Sequence, residues 1–122
     1  MTIEALFYDL PDGEEPAKEF IKSLSPAMAA KMLMCIDLLE EFGPQLRMPY
    51  SEHLEDGIFE LRAKTGTDIS RVLYFFVVDG KAILTHGFIK KTQKTPKREL
   101  QKAKNYRKEY LSRRNQQDGN KV

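Results

Sequence analysis

Cysteine occurs once in this 122-residue chain and histidine twice. A single thiol cannot close an internal disulfide, and Cys35 sits in an apolar helical stretch where a buried, inert thiol is the expected state. Two histidines thirty-three residues apart, His53 and His86, do not make a metal ligand set with it. The glycines form no phosphate-cradling loop, and neither a nucleophile elbow nor an H-E-x-x-H motif occurs. Nucleotide cofactors, hydrolase triads and zinc catalysis therefore drop out, and no cofactor and no metal are expected. Long hydrophobic runs are missing too. The longest, Val72 to Val78, falls far short of a bilayer span. The acidic N-terminus lacks the basic start and apolar stretch of a secretory signal. A cytoplasmic protein with no membrane contact is expected.

What the chain does have is charge, unevenly placed. From His86 to Arg114 there are eleven Lys or Arg and two Glu, whereas the first sixty residues hold four basic and thirteen acidic side chains. The formal total of +2 hides this split. A basic end offers a polyanion a seat, because Lys and Arg near phosphates displace condensed counterions. Nucleic acid is the first partner to consider, with a merely solvated helix face as the plain alternative. With 41% apolar residues the chain is sized for one domain with a modest core. That domain is expected over residues 1–114, followed by a polar, disordered tail over 115–122.

Ile3 to Tyr8 reads as an opening strand, closed by the turn chemistry of Leu10-Pro11-Asp12-Gly13. Ala17, Phe20, Ile21 and Leu24 follow helical spacing after Pro16, and Ser25-Pro26 restarts a second helix that Gly43-Pro44 stops. In this αα-hairpin, Met28, Met32, Cys35, Ile36, Leu39 and Phe42 share the arc that should face the core. Leu33 and Met34 fall outside it, to meet either the first helix, which is the favoured reading, or a partner protein. After a loop punctuated by Pro44 and Pro49, three strands follow: Ile58 to Thr65, Ile69 to Val78 and Lys81 to Ile89. Thr65-Gly66-Thr67-Asp68 and Asp79-Gly80 link them as an antiparallel meander. The middle strand is apolar at almost every position, as a strand covered on both faces would be. Thr95 and Pro96 read as cap and first residue of a basic last helix, whose stripe is Leu100, Ala103, Tyr106, Arg107 and Tyr110. The fold class is α+β, in the order β-α-α-β-β-β-α.

Candidate chemistry is cationic. Strand alternation puts Glu60, Arg62 and Lys64 on one face, and Arg71 opens the most apolar strand, where an unpaired charge would be costly unless it met a carboxylate, a cleft or an anion. Both an ion pair with Glu60 and a functional role stay open for these arginines. His86 lies inside the last strand, as a satisfied core histidine or a catalytic one. His53 reads as a surface loop residue. Lys90, Lys91 and Lys94 lead into Lys97 and Arg98 at a helix start, where free N–H groups and the helix dipole favour an anion.

The order of elements, together with Phe59-Glu60-Leu61-Arg62, Arg71-Val72-Leu73-Tyr74 and the run Gly87-Phe88-Ile89-Lys90-Lys91-Thr92-Gln93-Lys94-Thr95-Pro96, resembles the RelE/HigB toxin superfamily. Its phage-derived HigB-like branch is the nearest likeness, over about residues 1 to 112. The resemblance implies a RelE/ParE-like fold and the toxin of a type II toxin–antitoxin pair, a ribosome-dependent, metal-independent endoribonuclease (mRNA interferase) that arrests growth. RNA supplies its own nucleophile, the 2′-hydroxyl, so such a protein need only position the strand, stabilise charge and shuttle protons. By that resemblance, Arg71 would stabilise the phosphorane and Lys91 would support the same charge or protonate the leaving oxygen. Arg62 and His86 complete the catalytic candidates, and Lys90, Lys94, Lys97 and Arg98 would bind RNA. The implied partners are mRNA on the ribosome and a helix-turn-helix HigA-like antitoxin, with a homodimer or a toxin–antitoxin heterotetramer both open. Two rival readings are a ParE-like toxin that poisons gyrase by protein contact and a non-catalytic RNA or ribosome binder.

Overall fold

A computed structural model describes residues 2–90 and 94–119, with side chains described as far as residue 115. Its elements are β1 (Glu4–Phe7), α1 (Pro16–Ser23), α2 (Pro26–Phe42), a 3-10 turn (Gly43–Gln45), β2 (Ser51–Glu55), β3 (Ile58–Thr65), β4 (Asp68–Val77), β5 (Lys81–Lys90) and α3 (Lys97–Gly119). The strands form one sheet in the order β1-β5-β4-β3-β2. β1 runs parallel to β5, with Leu6 opposite Ile83, and the other pairs are antiparallel. The architecture is α+β.

The two faces of β4 explain why its sequence is apolar throughout. Val72 and Tyr74 join Leu61, Ala63, Ala82 and Leu84 in a core closed by Met28, Met32, Cys35 and Leu39 of α2 and by Ala17 and Ile21 of α1. Leu73 and Phe75 turn the other way, meeting Ile58, Ile83, Tyr8 and Ala103 of α3. A strand that alternates between two buried cores has no polar face to show.

Several local features depart from the sequence expectations. The sheet has a fifth strand, β2, in the stretch read as a loop, and it is mixed because β1 lies parallel to β5. β2 escapes notice because Ser51-Glu52-His53-Leu54-Glu55 holds one apolar residue. Its signal is the turn that follows, Asp56-Gly57, where both residues have positive φ (52° and 74°), as a two-residue hairpin requires. Leu33 and Met34 stand 49% and 46% exposed, so neither is buried against α1. Phe42 is exposed as well, at the point where α2 ends in Gly43 with φ 54°. Finally, α3 opens at Lys97, with the Pro96 carbonyl accepting from the Glu99 and Leu100 amides. Thr95 is therefore not a helix cap. Elsewhere the caps follow expectation: Ser25 Oγ accepts from the Met28 amide at 3.3 Å. The span of α3 takes in the first residues of the stretch expected to be a tail.

α1 docks on β5 through a close approach. A Cβ on Gly87 would overlap the Phe20 ring, although the Gly87 backbone itself is unremarkable. Overpacking of this kind costs about 1–3 kcal/mol. Gly87→Ala should therefore lower stability by that amount in urea unfolding, and adding Phe20→Leu should recover part of it. Equal loss with and without Phe20→Leu would show that the contact is not the cause.

Candidate functional site

Arg62, Arg71 and His86 all project from the α3 face of the sheet, because Arg62 pairs with Arg71 and Leu73 with His86 across neighbouring strands. They do not form an open cationic notch. Between the arginines lies Glu60, fully buried, with Oε1 3.3 Å from Arg71 Nη1 and Oε2 3.7 Å from Arg62 Nε. Thr95 completes the group: its Oγ1 donates to Glu60 Oε1 at 2.5 Å and accepts from Arg71 Nη1 at 3.2 Å. Arg62 also reaches outward, with Nη1 3.8 Å from Glu52 Oε2 on β2. Two guanidinium groups and two carboxylates thus alternate from the sheet edge inward. Buried charge of this kind persists only when paired.

Arg71 is the largest fully buried side chain of the protein. Its guanidinium is therefore enclosed rather than turned to solvent. Its physical effect is to pair with the Glu60 carboxylate and, through Thr95, to tie the start of α3 to the centre of the sheet.

His86 is likewise enclosed, at 3% exposure. Nε2 lies 3.2 Å from Glu99 Oε1 on the first turn of α3, and Nδ1 lies 3.1 Å from Thr85 Oγ1. A carboxylate facing Nε2 places the proton there, which leaves Nδ1 as an acceptor. Burial, then the Lys102 charge, press its pKa down to about 4, while Glu99 opposes the shift. The ring is neutral at pH 7, but neither nitrogen faces solvent. It is poorly placed to take a proton from a substrate.

A cluster of accessible positive charge lies at the entrance to α3. Lys94, Lys97 and Arg98 are exposed, Lys90 is partly so, and none of them makes an ion pair among the described residues. Lys91 lies outside the described residues. Farther along α3 four basic side chains are engaged, Lys104 with Glu55 at 2.6 Å, Arg107 with Asp56 at 2.8 Å, Arg113 with Asp9 and Glu109, and Arg114 with Asp79, while Lys102 and Lys108 are exposed and make no ion pair among the described residues. Exposed pairs are worth only about 0–1 kcal/mol each, so they orient the helix more than they stabilise it. They do cancel field, and Lys94, Lys97 and Arg98 form a cluster of uncancelled charge at the start of the helix. A polar pocket of about 220 Å3 opens beside that end, between β2 and Lys94-Thr95, lined also by Glu52, His53, Glu55 and Leu100. His53 stands on β2 rather than in a loop, its Nε2 accepting from the Gly57 amide at 3.3 Å.

Residues 19–108 match the model of the family described as phage derived protein Gp49-like (DUF891). The chain belongs to the Gp49-like family. Among proteins with curated descriptions, none matches the sequence. The family match covers β2 to β5, the whole Glu60–Arg71–Thr95 group and the cationic entrance to α3. Of the groups that build this site in the Gp49-like chain, the sequence reading missed Glu99, Glu52 and the role of Thr95. Helix periodicity placed Glu99 one turn into α3, but its partnership with His86 depends on the register between α3 and β5, which no local pattern sets. Among the described residues, no helix is long and apolar enough to cross a membrane, and no cluster of His, Cys, Asp and Glu could hold a metal ion.

Two outcomes follow from this geometry. Arg71→Met leaves Glu60 buried with its main partner gone, and breaking such a pair costs about 3–5 kcal/mol. Adding Glu60→Leu should return most of that loss in denaturant titrations, and equal destabilisation by the single and double variants would contradict the pairing. For His86, the folded-state pKa lies below its ordinary 6.5, near 4. Its contribution is complete above pH 6.5 and is lost as pH falls toward 4, because the unfolded chain takes up the proton first. His86→Gln should flatten the decline of stability over that window; an unchanged slope would mean that other groups cause it.

Proposed function

We propose that this chain is the toxin of a type II toxin–antitoxin pair, of the HigB kind, and that it cleaves mRNA on the ribosome. Support for this reading comes from one conjunction: a Gp49-like chain whose Lys94, Lys97 and Arg98, exposed and without an ion pair among the described residues, gather at the helix start that follows β5 in the chain. The positive end of the α3 dipole and three exposed cations make that place suited to a phosphodiester. Lys90 extends the same surface, and Lys91, between Lys90 and Lys94 in the sequence, belongs to the proposal on the resemblance alone.

In this reading the ribose 2′-hydroxyl attacks the adjacent phosphorus, and the bond to the 5′-oxygen breaks, leaving a cyclic phosphate. The protein supplies positive charge to the phosphorane and an aligned strand. Lys94, Lys97 and Arg98 hold phosphates, with Arg62 behind them at the edge of the sheet. Arg71 and His86 become positioning residues, acting through Thr95 and Glu99 on the segment that carries the lysines. Expected partners are translated mRNA and a helix-turn-helix antitoxin.

One observation favours a second reading. Arg71 is held by Glu60, and His86 has no nitrogen toward solvent, so the described residues suit phosphate binding better than proton transfer. On that reading the protein would bind RNA or the ribosome without cutting. In vitro translation with mRNA 5′-end mapping separates the two: new ends within translated codons support cleavage, whereas arrest without new ends supports binding alone. The triple variant Lys94→Gln/Lys97→Gln/Arg98→Gln should stay folded. Its single-stranded RNA affinity should depend less steeply on salt, the log–log slope shrinking by about 2 for three lost phosphate contacts. An unchanged slope would remove these residues from the RNA surface.

A further inference from the structure

A second surface, sharing only Arg62 with the charge network, lies at the edge of the sheet. β2 is shorter than β3, and their pairing ends at Ser51 opposite Leu61, followed by one bond from the Arg62 amide to the Tyr50 carbonyl at 2.9 Å. Beyond that point, no strand lies beside Ala63, Lys64 and Thr65 on this side among the described residues. The Arg62 carbonyl is met by Cys35 Sγ at 3.3 Å and the Lys64 carbonyl by Lys31 Nζ at 2.8 Å, both from α2. Side chains thus stand in for a missing neighbour strand. Open strand edges are normally blunted, since they invite pairing with another chain.

Here the edge opens into a groove of about 440 Å3, whose walls include Met34, Met48, Pro49, Tyr50 and Ile69. Met34 and Met48 are 46% and 54% exposed. Exposed methionines of this kind are adaptable contacts, because an unbranched thioether repacks around different side chains. Lys31 and Lys64 also line the groove and put positive charge at its rim. An incoming strand would find apolar pockets and two ammonium groups together, and would bond the Arg62 and Lys64 carbonyls through their second lone pairs or by displacing Cys35 and Lys31.

We propose that this groove binds an extended segment of a protein partner, with apolar side chains at alternate positions and Asp or Glu between or beside them. The segment would add a strand beside the distal half of β3, seating its apolar groups against Met34 and Met48 and its carboxylates near Lys31 and Lys64. Main-chain bonding supplies affinity in this mode of recognition, and the pockets with the charged rim supply selectivity. The polar end of the same chain is not the occupant, since Asn115 onward offers only Val122 as an apolar group.

The test is a selection of random twelve-residue displayed peptides against the full chain, followed by fluorescence anisotropy of the enriched peptides. The expected sequences alternate apolar residues with Asp or Glu. They should bind Met34→Asp and Lys31→Glu/Lys64→Glu at least about tenfold more weakly than the parent chain, a difference near 1.4 kcal/mol. Because all three positions are exposed, circular dichroism melts should show both variants folded. No enrichment, enrichment of peptides lacking acids, or equal binding to both variants would overturn the proposal. So would a dimer in sedimentation that Met34→Asp dissolves, which would make a second copy of this chain the occupant. None of these readouts depends on RNA cleavage.

Discussion

A carboxylate buried without a cation would not survive in this sheet, and the way Glu60 is satisfied organises everything near it. Its side chain is fully enclosed, so the cost of removing its charge from water has to be offset by close partners. Arg71 comes from the neighbouring strand, Arg62 from the same strand two residues on, and Thr95 from the segment entering α3. Three separate pieces of chain are thereby required to converge on one oxygen pair. The convergence fixes where α3 begins, and with it the place where Lys94, Lys97 and Arg98 meet solvent.

The charge asymmetry of the sequence acquires a different meaning in three dimensions. Three carboxylates of the acidic first half return to pair with the basic helix, Asp9, Glu55 and Asp56. The long basic stretch is therefore not one polyanion-binding surface. It is a helix pinned along its length by salt bridges, with free cations concentrated at its start and, at Lys102 and Lys108, on its outer face. An RNA strand attracted by the overall field would be drawn to the end where the helix dipole adds to the side-chain charge.

Periodicity carried the sequence reading where burial is one-sided or complete. The α2 arc of Met28, Met32, Cys35 and Leu39, the Ser25 cap, the three long strands and the α+β class were all legible, because each is dictated by local spacing. β2 was not, since a half-exposed edge strand of five residues with one apolar side chain leaves no pattern, although Asp56-Gly57 marked its turn. The direction of β1 was hidden because no residue type encodes parallel against antiparallel pairing. At the site, the sequence placed Arg62 and Arg71 on strands and named Glu60 as an alternative partner, but it could not weigh burial. Whether an arginine points at a phosphate or at an internal acid depends on which neighbour reaches it first, and here Thr95 and Glu60 come from residues thirty-five apart.

Amide hydrogen exchange in Thr95→Val tests the claim that the Glu60 group anchors the start of α3 most directly. The account predicts that the Glu99 and Leu100 amides, bonded to the Pro96 carbonyl, lose protection while the centre of β4 and β5 keeps it. Unchanged protection in that first turn would contradict it, since the helix would then be held by its other contacts and the buried carboxylate would not set the position of the cationic end.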